Sequence, residues 1–245
     1  MCLAILLSFL NGTWIDYPRG WDANGHLSRI RFFMESWPHY QWWYIWYAGE
    51  PLIRWYCPIQ HPILAFLPAV LGCSIGFSIT LTFLASIIFI GVMLYLSVLK
   101  LTKGHLAALI AAILTVSSSS LWDLGTIGGL YLRVMAASFF SATLFFMLVY
   151  FNVMSSHIDP PRRTYLFLNV SFSLCIASNP IYGIGATVAL FVFSILCAEK
   201  WTKKISTFVK ILLPSALLST WYILPFFVPI GIIGGPVQLL LAEGE

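Results

Sequence analysis

"IQHPILAFLPAVLGC", residues 59–73, is the stretch on which the fold turns. It is apolar enough to enter a membrane, yet it holds only 15 residues, two of them proline and one histidine. A bilayer core about 30 Å thick needs roughly 20 residues of helix, so a span here falls short by more than a turn. The run that follows, 75–99, has no such defect. If 59–73 lies at the surface and 75–99 crosses inward, then Lys100, Lys103, Arg162, Arg163, Lys200, Lys203 and Lys204 all become cytoplasmic, with Lys210 just within the last span. If 59–73 crosses instead, the same basic loops face outward, against the lysine and arginine asymmetry that sets membrane topology. The sequence therefore predicts a juxtamembrane helix over 59–73 on the outer face.

Composition agrees with a membrane protein. Only 9% of residues are charged and the mean hydropathy is +0.88, whereas a soluble domain is about a quarter charged. Apolar runs at 1–14, 75–99, 104–121, 134–154, 164–179, 181–198 and 205–228 predict about seven spans. The expected fold class is all-α: a polytopic transmembrane helical bundle, one domain over residues 1–245, integral to the cell (plasma) membrane. Run 1–14 is short and follows no basic residue, so it reads as a frayed first span, a late start or a signal peptide. At the other end an apolar stretch follows Gly234, Gly235 and Pro236, as in the front part of a longer protein or a small member of a larger family. The net charge of +4 matters less than its position, in the loops between spans, and no nucleic-acid partner is expected. The five cysteines (Cys2, Cys57, Cys73, Cys175, Cys197) form no CxxC pair and read as small buried hydrophobes.

Residues 15–74 make an outer loop of about 60 residues, and a connection that long in a compact protein usually has a function. Seven of the ten tryptophans lie between Trp14 and Trp55, beside Tyr17, Tyr40, Tyr44, Tyr47 and Tyr56. Such rings suit first an interfacial anchoring belt and, as a sharper reading, the wall of a groove for a lipid or a sugar; both can hold for the set. The same loop gathers Asp22, His26, Arg29, Arg31 and Glu35 in "GWDANGHLSRIRFFMESW", residues 20–37. Over 23–34, Leu27, Ile30, Phe33 and Met34 form the apolar stripe of a short amphipathic helix, with Asp22 at the N-cap position. Helical spacing then puts Asp22, His26 and Arg29 on one face, as a functional set or as a plain cap beside a wet surface histidine.

A second outer loop, "SSSSLWDLGTIGGLYLR" at 117–133, carries Asp123, Gly128, Gly129 and Arg133, and a third outer point is the tight turn "SNPIYG" at 178–183. No span holds Asp, Glu or Arg near its centre, which argues against an ion-coupled transporter. No nucleotide-phosphate loop, metal-spaced His/Cys cluster, GxSxG or HExxH occurs, and the glycosylation patterns at 11–13 and 169–171 abut or enter the membrane.

The order of features over roughly residues 1–150 resembles the GT-C superfamily of polytopic glycosyltransferases. It is closest to the archaeal and bacterial membrane family labelled 6-pyruvoyl-tetrahydropterin synthase-related. The resemblance rests on Gly20, Asp22 and His26, then Gly49, Pro51 and Leu52, then Tyr56 and Pro58, followed by "GTIGGLYLR". It implies transfer of a sugar from a polyprenyl- or dolichyl-phosphate carrier to an acceptor, as yet unspecified, at the outer membrane face. It further implies Asp22 as the acid that activates the acceptor or holds a divalent metal (Mg or Mn), with Asp123 as a second acid. Arg29, Arg54 and Arg133 would neutralise the carrier phosphate, for which the guanidinium fork is suited, and His26 would orient Asp22 or bind phosphate. The alternative is a non-catalytic membrane protein that binds lipid or a partner through its aromatic loop. The topology has its own test: in a background cleared of native cysteines, Lys103→Cys is expected to react with an impermeant thiol reagent only from the cytoplasmic side. Labelling from outside overturns it.

Overall fold

The computed structural model describes residues 23–36, 42–43, 50–51, 59–126, 130–156, 158–197 and 201–220. Within them the chain is helical, in the order α1 (Ala23–Ser36), α2 (Gln60–Leu71), α3 (Ile75–Thr102), α4 (His105–Val116), α5 (Ser119–Thr126), α6 (Tyr131–Ser155), α7 (Arg162–Ser178), α8 (Pro180–Cys197) and α9 (Trp201–Leu218). The exception is a two-residue antiparallel ladder, β1 (Trp42–Trp43) with β2 (Glu50–Pro51), between α1 and α2.

Four helical segments are long and apolar enough to cross a membrane: Ile75–Thr102, His105–Leu124, Tyr131–Ser155 and Pro180–Cys197. The second joins α4 to α5 across a short break. Helix α7 is only 17 residues long and carries Asn169, Ser171 and Ser173. Helix α9 begins with Lys203 and Lys204 near its start and contains Lys210 and Pro214. Run 1–14 and the chain beyond 220 lie outside the described residues.

Helix α2 is the element at issue in residues 59–73. Its 12 residues rise only about 18 Å, against a bilayer core of about 30 Å, so it cannot cross. It stops at Gly72, whose left-handed φ of 64° suits a residue without a Cβ. The Gly72 amide closes the last turn on the Pro68 carbonyl at 2.9 Å. Ser74 then caps α3, its hydroxyl accepting from the Phe77 amide at 3.1 Å. Helix α2 is tied down over its first two turns. The Ser78 hydroxyl donates to the Leu64 carbonyl at 2.9 Å, and the Gln60 amide donates to the Ser178 carbonyl at 3.0 Å.

Ring pairs fix the directions of the long helices. Phe83 meets Tyr131 near the starts of α3 and α6, and both Leu96 and Leu99 line a cleft with Phe145 and Val149 further along, so α3 and α6 run parallel. Phe140 packs on Tyr182 and Phe151 on Phe193, so α8 runs with α6. Phe146 on Phe167 and Tyr150 on Tyr165 set α7 against them. Helix α9 follows α7, because Tyr165 donates to the Lys210 carbonyl (2.7 Å), Ser215 to Asn169 (3.0 Å), and Ser173 pairs with Ser219 (2.9 Å). The helices therefore alternate up and down. Lys100, Lys103, Arg162, Arg163, Lys203 and Lys204 collect at one end, and α1 and α2 cover the other.

Two apolar cores share α6. The first joins Ile30 and Phe33 of α1, Leu64 of α2, Ile79, Phe83 and Ile87 of α3, and Trp122, Leu132 and Val134. The second joins Met147 and Phe151 of α6 with Phe172, Leu190 and Ile211. The outer sides are apolar as well: Leu106, Leu109, Ile110, Ile113 and Leu114 are exposed along α4, as are Ile181, Ile184, Val188 and Phe191 along α8. Faces this large and greasy suit hydrocarbon rather than water.

The loop expected over 117–133 is in part a helix. Residues 119–126 form α5, because Leu121, Trp122 and Leu124 supply an apolar side that packs into the first core. The Trp122 indole is buried edge-on against Phe83 and donates to the Val116 carbonyl at 2.7 Å. The expected turn at 178–183 is present: Asn179 accepts from the Ile181 amide at 3.0 Å, and Pro180 occupies the first helical position of α8.

Helices α3 and α4 approach closely at Gly91, where a Cβ would stand 2.7 Å from a methyl of Val116. We expect Gly91→Ala to lower thermal stability by about 1 kcal/mol, overpacking exceeding the helix-propensity gain. Adding Val116→Ala should recover most of the loss, which a double-mutant cycle measures.

Candidate functional site

Helix α1 lies across the end of the bundle, and its buried face is mixed. Ala23, His26, Arg29, Ile30, Phe32 and Phe33 are buried, while Asn24, Ser28, Arg31, Met34 and Glu35 are exposed. Helical spacing does put His26 and Arg29 on one face, but that face points into the protein. His26 is 4% exposed and Arg29 is 9% exposed. A wet surface histidine is therefore excluded. The expected stripe is redistributed too, since Met34 is exposed and Ile30 is fully buried.

What receives this face is the start of α2. His26 Nδ1 stands 3.4 Å from His61 Nε2, one nitrogen donating and the other accepting, with ring centroids 5.5 Å apart. Arg29 and Arg133 both lie close enough for their charge to act on His26. Burial, reinforced by Arg29 and then Arg133, pulls the His26 pKa down from 6.5 to about 3. At neutral pH His26 is therefore an uncharged imidazole within reach of two guanidinium charges.

Two polar atoms here are buried without a hydrogen-bond partner among the described residues: Nε of Arg133 and Oε1 of Gln60. Native interiors leave few such atoms unpaired. Arg133, at the start of α6, is half-buried, and its charge also reaches Tyr182 at the start of α8. Chemically, Arg133 offers an N–H donor with positive charge and Gln60 an acceptor for a hydroxyl, beside the neutral imidazole of His26.

The other expected site residues are placed differently. Asp123 lies on α5, exposed, with no hydrogen bond or ion pair among the described residues. Asp22, Arg54, Gly128 and Gly129 lie outside the described residues, as do most of the loop aromatics. Among the described residues no three His, Cys, Asp or Glu side chains come together as metal ligands. The His26–His61 pair does not fit a divalent cation either, because Arg29 and Arg133 would repel it.

Gln60 and His61 are the residues that sequence reasoning missed. Both stand at the head of an otherwise apolar helix, and His61 was weighed only as an obstacle to crossing the membrane. A polar pair opening a helix too short to span was the available signal.

Beside the cluster, α1 and α2 enclose an apolar groove of ≈ 440 Å³ lined by Phe33, Met34, Pro62, Ala65, Phe66 and Ala69. Phe66 is 64% exposed at its edge. A buried polar cluster thus adjoins an apolar trough at one end of the bundle. Comparison with models of protein families, with curated proteins and with solved structures returned no match.

The neutral state of His26 has a consequence for stability. Its folded-state pKa is depressed, so between pH 6.5 and about 3 the unfolded chain binds a proton that the folded chain does not. Stability from this group is complete above that window and is lost as pH falls through it, by up to about 1.4 kcal/mol per pH unit. Melting curves from about pH 7 to about pH 5 should fall more steeply for the unmutated protein than for His26→Gln. Equal slopes would show that His26 is not buried neutral.

Proposed function

We propose that the chain is a GT-C-like membrane glycosyltransferase. In this reading it takes a sugar from a polyprenyl-phosphate carrier and transfers it to an acceptor at the outer face of the plasma membrane. The observation that carries the reading is the partnerless Nε of Arg133, whose charge with that of Arg29 acts on a neutral His26, next to an apolar groove. A carrier of this kind has the same two parts, an anionic phosphate and an isoprenoid tail. Arg29 and Arg133 suit the phosphate oxygens. The trough between α1 and α2 suits the tail, and Gln60 Oε1 suits a sugar hydroxyl.

The chemistry follows from that placement. The acceptor oxygen attacks the anomeric carbon and the bond from that carbon to the carrier phosphate oxygen breaks. The electron pair leaves with the carrier phosphate, whose growing charge the guanidiniums stabilise. The acceptor's proton goes to a carboxylate. Resemblance assigns that base to Asp22, with Asp123 as a second acid, and a charge of Mg or Mn type would be held there rather than at the histidines.

The proposed topology has seven spans: the four long apolar segments, α7, α9 and the run at 1–14. Six lysines and arginines of the described chain gather at the end away from α1 and α2. By the positive-inside tendency that end is cytoplasmic, and the 15–74 loop is outside. The groove and the arginines would also serve a non-catalytic lipid-binding protein, so turnover has to decide between the two.

Purified protein supplied with a panel of polyprenyl-phosphate-linked sugars should transfer a sugar. Arg133→Gln should lower kcat/KM by about tenfold to a hundredfold, the worth of one charge-assisted hydrogen bond, and Asp22→Asn should abolish transfer. Absence of transfer by the unmutated protein across the panel would sink the enzyme reading and favour the lipid-binding one.

A further inference from the structure

We infer that the opposite end of the bundle carries a separate binding site for an anionic phospholipid, in a cleft between α3, α4 and α6. The cleft, ≈ 500 Å³, is lined by Leu96, Leu99, Lys100, Lys103 and His105 on one side and Phe145 and Val149 on the other. Its walls are apolar and its cationic groups are lysines at the helix ends, so one molecule with an anionic head and acyl chains matches both. No Asp or Glu is among these lining residues.

Two further features point to this cleft. Lys103 ends α3 in the left-handed region, at φ 59°, the only described residue other than glycine to do so. Glycine ordinarily takes that position, because a Cβ is strained there. Here glycine comes one residue later, at Gly104, and the strained position keeps a lysine whose side chain lines the cleft. Such an outlier is a reason to ask what the side chain does there. The second feature is His105. Its Nδ1 is paired with the Tyr95 hydroxyl at 2.9 Å, which fixes the ring at the cleft. Leu101 and Leu106, next in sequence to the lining residues Lys100 and His105, are exposed by 66% and 71%, as suits an apolar surface in lipid. Basic pockets between helices are where anionic headgroups bind. The site is independent of the sugar-transfer reading, since none of its residues belongs to the α1–α2 end.

The test uses the full chain in a neutral detergent, with bound lipid counted by native mass spectrometry. The unmutated protein should prefer phosphatidylglycerol to phosphatidylcholine. Lys103→Gly should weaken phosphatidylglycerol binding about fivefold while its melting temperature stays level or rises, because the left-handed strain is relieved. Lys100→Gln combined with Lys103→Gly should remove the headgroup preference. Lys204→Gln, a lysine at the same end but outside the cleft, should leave the preference unchanged. The proposal is overturned if the unmutated protein shows no preference, or if Lys103→Gly binds as the unmutated protein does. It is equally overturned if Lys204→Gln costs as much, since diffuse charge would then suffice. Displacement of the lipid by millimolar inorganic phosphate would also overturn it, by showing that the cleft reads phosphate alone.

Discussion

Two hydrogen bonds hold the short helix α2 in place, and the α1–α2 end of the molecule is arranged around that. Gln60 reaches the last carbonyl of α7 at Ser178, and Ser78 of α3 reaches back to Leu64. A 12-residue apolar helix that cannot cross a bilayer has to lie along the end of the bundle, where its own carbonyls and amides can be satisfied. Fixed there, it presents His61 to His26 and Leu64 to the core, and α1 gains a floor to pack against. Without that floor the buried Arg29 and His26 would face a greasy end with nothing to pair with, which is costly.

The bundle itself is held by different means. Helices in lipid gain little from burying apolar groups against one another, so close packing and polar contacts decide their association. The pairs Asn169–Ser215 and Ser173–Ser219 join α7 to α9 along one stripe. At Gly91 the absence of a side chain lets α4 approach α3. Helix α6 belongs to both cores, with Leu132 and Val134 in one and Met147 and Phe151 in the other. It therefore couples the end that carries α1 and α2 to the rest of the protein.

The two ends treat positive charge in opposite ways. At the basic end the lysines stay near solvent on long apolar stems, and Lys204 lies over the Trp201 ring at 5.1 Å. At the other end the Arg29 guanidinium is drawn inside and Arg133 is half-buried. Burying a charged group is expensive unless something compensates it, and His26 responds by remaining neutral rather than adding a third charge. That contrast makes the α1–α2 end the candidate for chemistry.

Sequence by itself determined the helical class, the limits of most long helices and the alternation of basic loops. These depend on apolar run length and on where lysine and arginine fall, both of which are one-dimensional. It also predicted that residues 59–73 lie at the surface, because only then do the basic loops fall on one side. Spacing alone put His26 and Arg29 on one face of α1. Which way that face points was decided only by the tertiary structure, because an amphipathic helix between water and protein can bury either side. The helix over Ser119–Thr126 was hidden by its run of serines, and only contact of Trp122 with Phe83 shows why it forms. The partnership of His26 with His61 joins residues 35 apart in the chain, and Arg133 reaches the same cluster from still further along. No local period encodes such a meeting; it exists because α2 is too short to leave the end of the bundle and α6 starts beneath it.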